Sequence, residues 1–277
     1  MIRTQRHGPL HLITLARPER RNALTPAMLD QLRDAIAASS SARALVLAGD
    51  GAMFCAGFDL AMCEADPTGA TMRRLLAGLS QTIRTLRALP IPVVLAAQGG
   101  AIAGGAALLA GADLVVTDRA GRFGYPVHRL GVSPAVSAPS LSARIGPGPT
   151  RRLQMEGPLI SADEAHRIGW VHTLVDRPDQ TLPAALEQAT TLASKPGGAI
   201  RTTRLWLDEV ESALTGDPAA RADAALAVSV SLVTSPEERR LLRAPVPVPV
   251  PGPGPASAPV SYTHLRAHET KANLVCR

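Results

Sequence analysis

Aromatic side chains make up only 3% of this 277-residue chain. Lys195, Asn22 and Tyr125 are the sole lysine, asparagine and tyrosine before residue 260. A core so poor in rings has to be built from Ala, Val, Leu and Ile. It also lacks the stacking platforms with which single-stranded nucleic acid is held, so the scattered basic residues behind the net charge of +6 do not point to a nucleic-acid partner. No apolar run approaches the ~18–20 residues that span a bilayer. Arg3, Arg6 and His7 lead into an ordinary strand rather than an apolar leader and cleavage site; a cytoplasmic protein is expected. Cys55, Cys63 and Cys276 are odd in number and have no framework spacing, which argues against a disulfide scaffold. No further ligands at zinc spacing lie near them, and no metal is expected. Gly-x-Ser-x-Gly is absent and the serines of Ser133–Ser142 have no evident His or Asp partners, which argues against a nucleophile elbow. Gly-x-Gly-x-x-Gly is absent too, which argues against a dinucleotide site.

What is present is 46% hydrophobic and alternates between strand and helix patterns. Leu10–Leu15 reads as a strand. Thr25 can cap a helix with Pro26 in its first turn, and Leu29, Leu32 and Ile36 then share one face. Ala44–Ala48, Pro92–Ala97 and Asp113–Thr117 are short buried strands, and a helix is expected over Thr71–Ala88. Such alternation implies parallel pairing and an α/β fold. From Thr150 the pattern turns helical, with a break at Lys195-Pro196-Gly197-Gly198 and two pieces beyond it, about Ile200–Leu214 and Ala219–Leu242. The expected organisation is a core over residues 1–196, a helical region over 197–243 and a Pro-rich low-complexity segment over 244–259.

The most informative segments are two glycine-rich turns, Cys55-Ala56-Gly57-Phe58-Asp59-Leu60 and Gly99-Gly100-Ala101-Ile102-Ala103-Gly104-Gly105. Each follows a buried strand and opens a helix. Two backbone N–H groups presented in this way can grip one developing oxyanion.

Five segments in order carry a family resemblance: Arg17 to Leu24; Phe54 to Leu60; Ala96 through Gly104-Gly105 to Asp113; Arg122-Phe123-Gly124-Tyr125-Pro126 with Leu130-Gly131-Val132; and Ala162 to Ala165 with Ile168 to His172. Over about Leu10 to Leu242 the chain resembles the crotonase family, the enoyl-CoA hydratase/isomerase group. Leu130–Gly146 looks closest to its methylglutaconyl-CoA hydratase branch. The resemblance implies a spiral of β-β-α turns with a C-terminal helical trimerisation region, hence a homotrimer or dimer of trimers. It implies an acyl-CoA substrate, with CoA entering only as part of the thioester and no other cofactor. The oxyanion hole carries over to the N–H groups of Phe58 and Gly104. The CoA contacts carry over to Arg20, Arg21, Ala23, Ala56, Asp59 and Leu60, with either arginine available for a phosphate.

The departure from the family lies in the acid/base groups. The two glutamates that flank water in its hydratases fall on Ala107 and Val127, and neither can move a proton. His128 and Tyr125 are the neighbouring candidates for a substitute; Glu64 and Asp66 lie on a loop that borders the family's acyl pocket. Asp59 is expected to hydrogen-bond local backbone in its turn. Three readings follow: an enolate-stabilising enzyme with non-hydratase chemistry (isomerase, decarboxylase or thioester hydrolase), a hydratase whose carboxylate comes from elsewhere, and a non-catalytic acyl-CoA binder.

Beyond residue 260 the composition changes abruptly, with Lys271, Asn273 and Tyr262 close together. Val260 to Thr270 (V-S-Y-T-H-L-R-A-H-E-T) back-translates to a transposase-type sequencing-library adapter, and Leu274 to Arg277 to the flow-cell end of the same adapter. Residues 260–277 are therefore expected to be translated adapter. Resequencing the gene from source DNA should return different codons there.

Overall fold

A computed structural model of the chain describes residues 1–242, apart from the side chains of 212–215 and 218. The Pro-rich segment 244–259, the adapter-like tail 260–277 and Cys276 lie outside the described residues. Among the described residues, nine strands and eleven α-helices follow in the order β1 (Ile2–His7), β2 (Leu10–Leu15), α1 (Pro26–Ala37), β3 (Ala44–Gly49), α2 (Leu60–Glu64), α3 (Ala70–Ala88), β4 (Val93–Ala96), β5 (Gly100–Ile102), α4 (Gly104–Leu108), β6 (Leu114–Asp118), β7 (Arg122–Gly124), α5 (Ala138–Ile145), α6 (Pro147–Glu156), β8 (Leu159–Ser161), α7 (Ala162–Arg167), β9 (Thr173–Val175), α8 (Thr181–Ser194), α9 (Gly197–Thr215), α10 (Pro218–Ser231) and α11 (Pro236–Leu242).

The larger sheet runs β1-β2-β3-β4-β6-β9 and the smaller β5-β7-β8. Pairs from β2 through β9 in the larger sheet are parallel, while β1 lies antiparallel to β2 as an exposed outer strand. The two-residue side-chain period sorts each central strand between two cores. Leu10, Leu12, Ala44, Val46, Ala48, Val94 and Ala96 pack with Ala185, Ala189 and Ala193 of α8, whose four-residue spacing of small side chains lets the helix lie close. Ile13, Leu15, Leu45, Leu47, Val93 and Leu95 face the main core beneath α1 and α3. There Thr25 caps α1 by accepting the Met28 N–H at 3.1 Å, and Leu29, Leu32 and Ile36 are fully buried.

The spiral follows from how the chain passes between sheets. After β3 it reaches Cys55, after β4 it forms β5, and after β6 it forms β7. These segments stack in parallel, with Cys55 beside Ala101 and Ala101 beside Phe123. Each turn thus contributes one strand to each sheet before the next helix. This is the α/β spiral of β-β-α turns that the sequence leads one to expect.

Two helical boundaries differ from expectation. Helix α9 begins at Gly197 rather than Ile200, so the two glycines lie in its first turn and the break is confined to Lys195 and Pro196. The piece expected over Ala219–Leu242 is two helices. Thr234 adopts a positive φ of 69°, and Pro236, which has no N–H to continue α10, restarts the chain as α11.

Candidate active site

Stacking of successive spiral turns places the two glycine-rich turns side by side. The Ile102 N–H donates to the Cys55 carbonyl at 3.0 Å. A Cβ on Gly57 would lie 3.1 Å from the Ala103 Cβ and 3.4 Å from the Gly104 nitrogen. A Cβ on Gly104 would lie 2.9 Å from Cε1 of the Phe58 ring. Glycine at both positions is therefore a matter of close approach. Gly57 also needs its freedom of backbone, with φ at +96°.

Ala103 orients the second turn. It sits at φ 52°, ψ −116°, a region that costs an L-residue about 1–3 kcal/mol. Its N–H donates to the Gly124 carbonyl at 2.8 Å, so β7 holds the strained residue in place. The peptide that follows presents Gly104 as the first residue of α4, where an N–H has no helical acceptor. Among the described residues, neither the Phe58 nor the Gly104 N–H has a hydrogen-bond acceptor, although the flanking Asp59 and Leu24 N–H groups are both paired. The two residues expected to form an oxyanion hole thus offer free donors on adjoining turns.

The ledge beside them is built by the segment from Arg17 to Leu24. The Ala56 N–H donates to the Arg21 carbonyl at 3.0 Å, the Leu24 N–H to Gly57 at 2.7 Å, and the Asp59 N–H to Leu24 at 2.9 Å. These bonds ladder the Arg17 to Leu24 segment along the turn from Ala56 to Asp59, with Asp59 itself buried. Arg20 and Arg21 are exposed and, among the described residues, have no ion-pair or side-chain hydrogen-bond partner. Asp59 differs from expectation. Its carboxylate meets no local backbone group but pairs with Arg17 Nη1 at 2.7 Å, and Arg17 donates in turn to the Ala23 carbonyl at 3.0 Å. The pair fixes the turn against the ledge.

Asn22 is the residue that sequence reasoning passed over. Fully buried at φ 53°, it donates from Nδ2 to the carbonyls of Asp50 at 2.8 Å and Met53 at 2.9 Å, and accepts the Arg17 N–H at 2.9 Å. Its solitary occurrence in the first 260 residues was the available signal.

Around the turns, the acid/base candidates separate. Ala107 is 2% exposed within the core. It lies three residues beyond Gly104 and so on the same face of the helix. Val127, half-buried, packs against the same core, three residues past the Gly124 that pairs with Ile102. His128 starts a short 3-10 turn and is exposed. Tyr125 is buried and stacks on Trp170 with centroids 5.7 Å apart. Its hydroxyl lacks a hydrogen-bond partner of good geometry, Ser137 being the polar group that acts on it. Burial pushes the phenol well above its ordinary range, which opposes formation of a phenolate. Asp66 is occupied by the Thr68 N–H and hydroxyl and by the Thr71 N–H, while Glu64 is exposed on α2.

Both described cysteines are buried, and burial pushes each thiol up to about 12. A thiol needs its thiolate to react. Alkylation with iodoacetamide at pH 8, read by peptide mass spectrometry, should leave Cys55 and Cys63 unmodified in the folded protein and label both after denaturation. Among the described residues no group of three His, Cys, Asp or Glu side chains could hold a metal ion, and no helix is long and apolar enough to cross a membrane.

Comparison with known proteins places these features in context. The family model for enoyl-CoA hydratase/isomerase matches residues 5–232. The chain is 34% identical to the 1,2-epoxyphenylacetyl-CoA isomerase of Escherichia coli over 195 residues, covering 66% of this chain and 72% of that protein. It is 30% identical to the crotonyl-CoA hydratase of Syntrophomonas wolfei over 211 residues, covering 74% and 80%. Among solved structures, an enoyl-CoA hydratase from Mycobacterium smegmatis superposes with a TM-score of 0.71 at 27% identity, covering 83% of this chain and 89% of that one.

Proposed function

This chain belongs to the enoyl-CoA hydratase/isomerase family, the crotonase family, and we propose that it binds an acyl-CoA thioester and stabilises its enolate with the Phe58 and Gly104 N–H groups. The observation that carries this reading is the pair of unpartnered donors on adjoining turns, each held by a glycine or by a strained residue. A thioester carbonyl that gains enolate character places negative charge on its oxygen, and one such donor lowers the barrier by about 2.7–4 kcal/mol. The exposed, unpaired Arg20 and Arg21 on the neighbouring ledge supply cationic forks for CoA phosphates.

The relatives named above include an isomerase and a hydratase at similar identity, so the reaction has to be read from this chain's own residues. Ala107 and Val127 replace the groups that a hydratase would use to position water and carry its proton. The native protein is therefore expected to bind butyryl-CoA in a calorimeter yet leave crotonyl-CoA unhydrated, as followed by its enoyl-thioester absorbance. Val127→Glu should restore hydration by about 10²-fold or more, the worth of a positioned acid/base group. Rapid hydration by the native chain would sink the assignment of Val127 as a lost carboxylate position. Failure to bind any acyl-CoA would sink the reading as a whole.

We also read the exposed apolar side chains of α9, with Trp206 at 59% and Leu207 at 56% exposure, as the contact of a homotrimer or dimer of trimers. Light scattering on the purified chain measures this directly.

A further inference from the structure

Away from the glycine turns, α10 packs on α3 and α5, and these three helices enclose, with α9, a cavity of about 280 Å³. Protein interiors are close-packed, with few voids larger than a water molecule, so an opening of this size among four helices stands out. Its lining includes none of Phe58, Gly104, Ala107 and Val127, which separates it from the candidate active site. It is also separate from the exposed apolar face of α9. Arg204, Asp208 and Glu211 follow one another at four- and three-residue spacing and so share the inward face, while Trp206 and Leu207 are exposed.

The floor of the cavity is apolar. Ile83 of α3 and Val136 of the short 3-10 turn before α5 are buried there, and Pro139, Ala143 and Ala222 add further alkyl surface. Ser80 and Ser140 complete this part of the lining. The exposed Arg84, Ala88 and Ala219 mark the mouth. Most of the charged side chains around it are committed. Arg87 pairs with both acids, Asp208 at 2.8 Å and Glu211 at 2.5 Å. Arg84 pairs with Asp223 at 2.7 Å. Arg221 of α10 differs from them. It is half-buried and lines the cavity, yet among the described residues it has no ion pair and no side-chain hydrogen bond.

We propose that this cavity binds a small amphipathic carboxylate, an aliphatic acid whose chain lies on Ile83 and Val136 and whose carboxylate is taken by Arg221. The ligand class follows from the balance of the lining. Arg87 answers the two acids, which leaves one guanidinium unanswered, and a guanidinium offers parallel donors that match a carboxylate. The alkyl floor favours a chain over a second polar group. A volume just under the ~300–1,000 Å³ of common ligand sites limits that chain to short or medium length. The bound acid would join α3 and α5 to α9 and α10 and so stabilise the folded chain. The site stands independently of the acyl-CoA reading.

Octanoate titrated into the full-length protein in a calorimeter should bind saturably and raise the melting temperature. Octanamide, its neutral counterpart, should bind about tenfold more weakly, and so should octanoate to Arg221→Gln, each having lost one charge-assisted contact. Ala222→Leu should prevent saturable binding by filling the cavity. Circular dichroism confirms that each variant is folded, and Arg221→Gln carries the test if Ala222→Leu does not fold. Octanoate should still bind in the presence of excess butyryl-CoA. Displacement by butyryl-CoA would put the acid in the acyl-CoA site and overturn the proposal. Tighter binding of octylamine than of octanoate would make the two acids the determinant and overturn it as well. So would the absence of saturable octanoate binding, or unchanged affinity in Arg221→Gln. The acyl-CoA reading is decided separately, by whether butyryl-CoA itself binds.

Discussion

Gly57→Ala should lower kcat/KM for whichever thioester the site turns over by about 10²–10³-fold, the loss of one oxyanion donor, while the protein remains folded. The reason is positional. Gly57 precedes Phe58, and its φ of +96° sets the peptide that carries the Phe58 N–H. An alanine there would be strained by about 1–3 kcal/mol. Its methyl would stand 3.1 Å from both the Ala103 Cβ and the Ile102 carbonyl oxygen, and 3.4 Å from the Gly104 nitrogen. Relief of that crowding must separate the two turns, and the separation falls on the gap between the two donors. A purely structural role for Gly57 predicts a lower melting temperature with unchanged turnover per folded molecule. A role in the oxyanion site predicts that turnover falls far more than stability does. Measuring both on one preparation decides the matter.

The largest expected loss of stability is Arg204→Met, about 3–5 kcal/mol, measured as a shift in the urea midpoint at constant m-value. Arg204 lies on α9 and is only 6% exposed. Its Nε meets Asp113 Oδ2 at 2.8 Å, its Nη1 reaches the carbonyls of Arg87, at 2.7 Å, and Leu89, and its Nη2 reaches Leu86 at 3.0 Å. Those carbonyls lie at the C-terminal end of α3, where the last turn runs short of helical donors, Leu86 alone of the three also accepting the Leu89 N–H, at 3.4 Å, and where positive charge is favoured. Asp113 Oδ2 also accepts the Val93 N–H that begins β4, at 2.7 Å. One guanidinium thus ties α9 to the end of α3 and to the larger sheet. Methionine matches its volume but removes the donor from the Arg87 and Leu89 carbonyls and takes one of two partners from the Leu86 carbonyl and from Asp113 Oδ2. Arg204→Lys should recover only part of the loss, since a single ammonium cannot reproduce the fork.

Long periodic segments were legible without the structure. The buried stripe Leu29, Leu32, Ile36 and the Thr25-Pro26 start define α1 because a helix repeats its face over many residues. The helix expected over Thr71–Ala88 differs from α3 by one residue. The glycine turns were legible as candidates for presenting donors, since glycine is needed where backbones approach. What could not be read is whatever rests on three residues or on distant pairing. β5, β7, β8 and β9 are each too short to display a two-residue period. β1 shows little apolar alternation, because five of its six residues are exposed. The Arg17–Asp59 pair joins residues far apart in sequence, so a local turn role was the natural expectation for Asp59. The strain at Ala103 is invisible in an alanine; only its backbone angles disclose it.

The exposed outer strand β1 bears on what happens when many copies of this chain are crowded together. An open sheet edge invites an incoming strand, and such recruitment is the usual route to disordered aggregation. Here one edge carries Arg3 and Arg6 with His7 at its end, and Arg3 is held by Asp50 in a two-bond fork with both contacts at 2.8 Å. The opposite edge, β9, offers only three residues. A charged edge on one side and a three-residue edge on the other both disfavour growth of a foreign strand on this sheet.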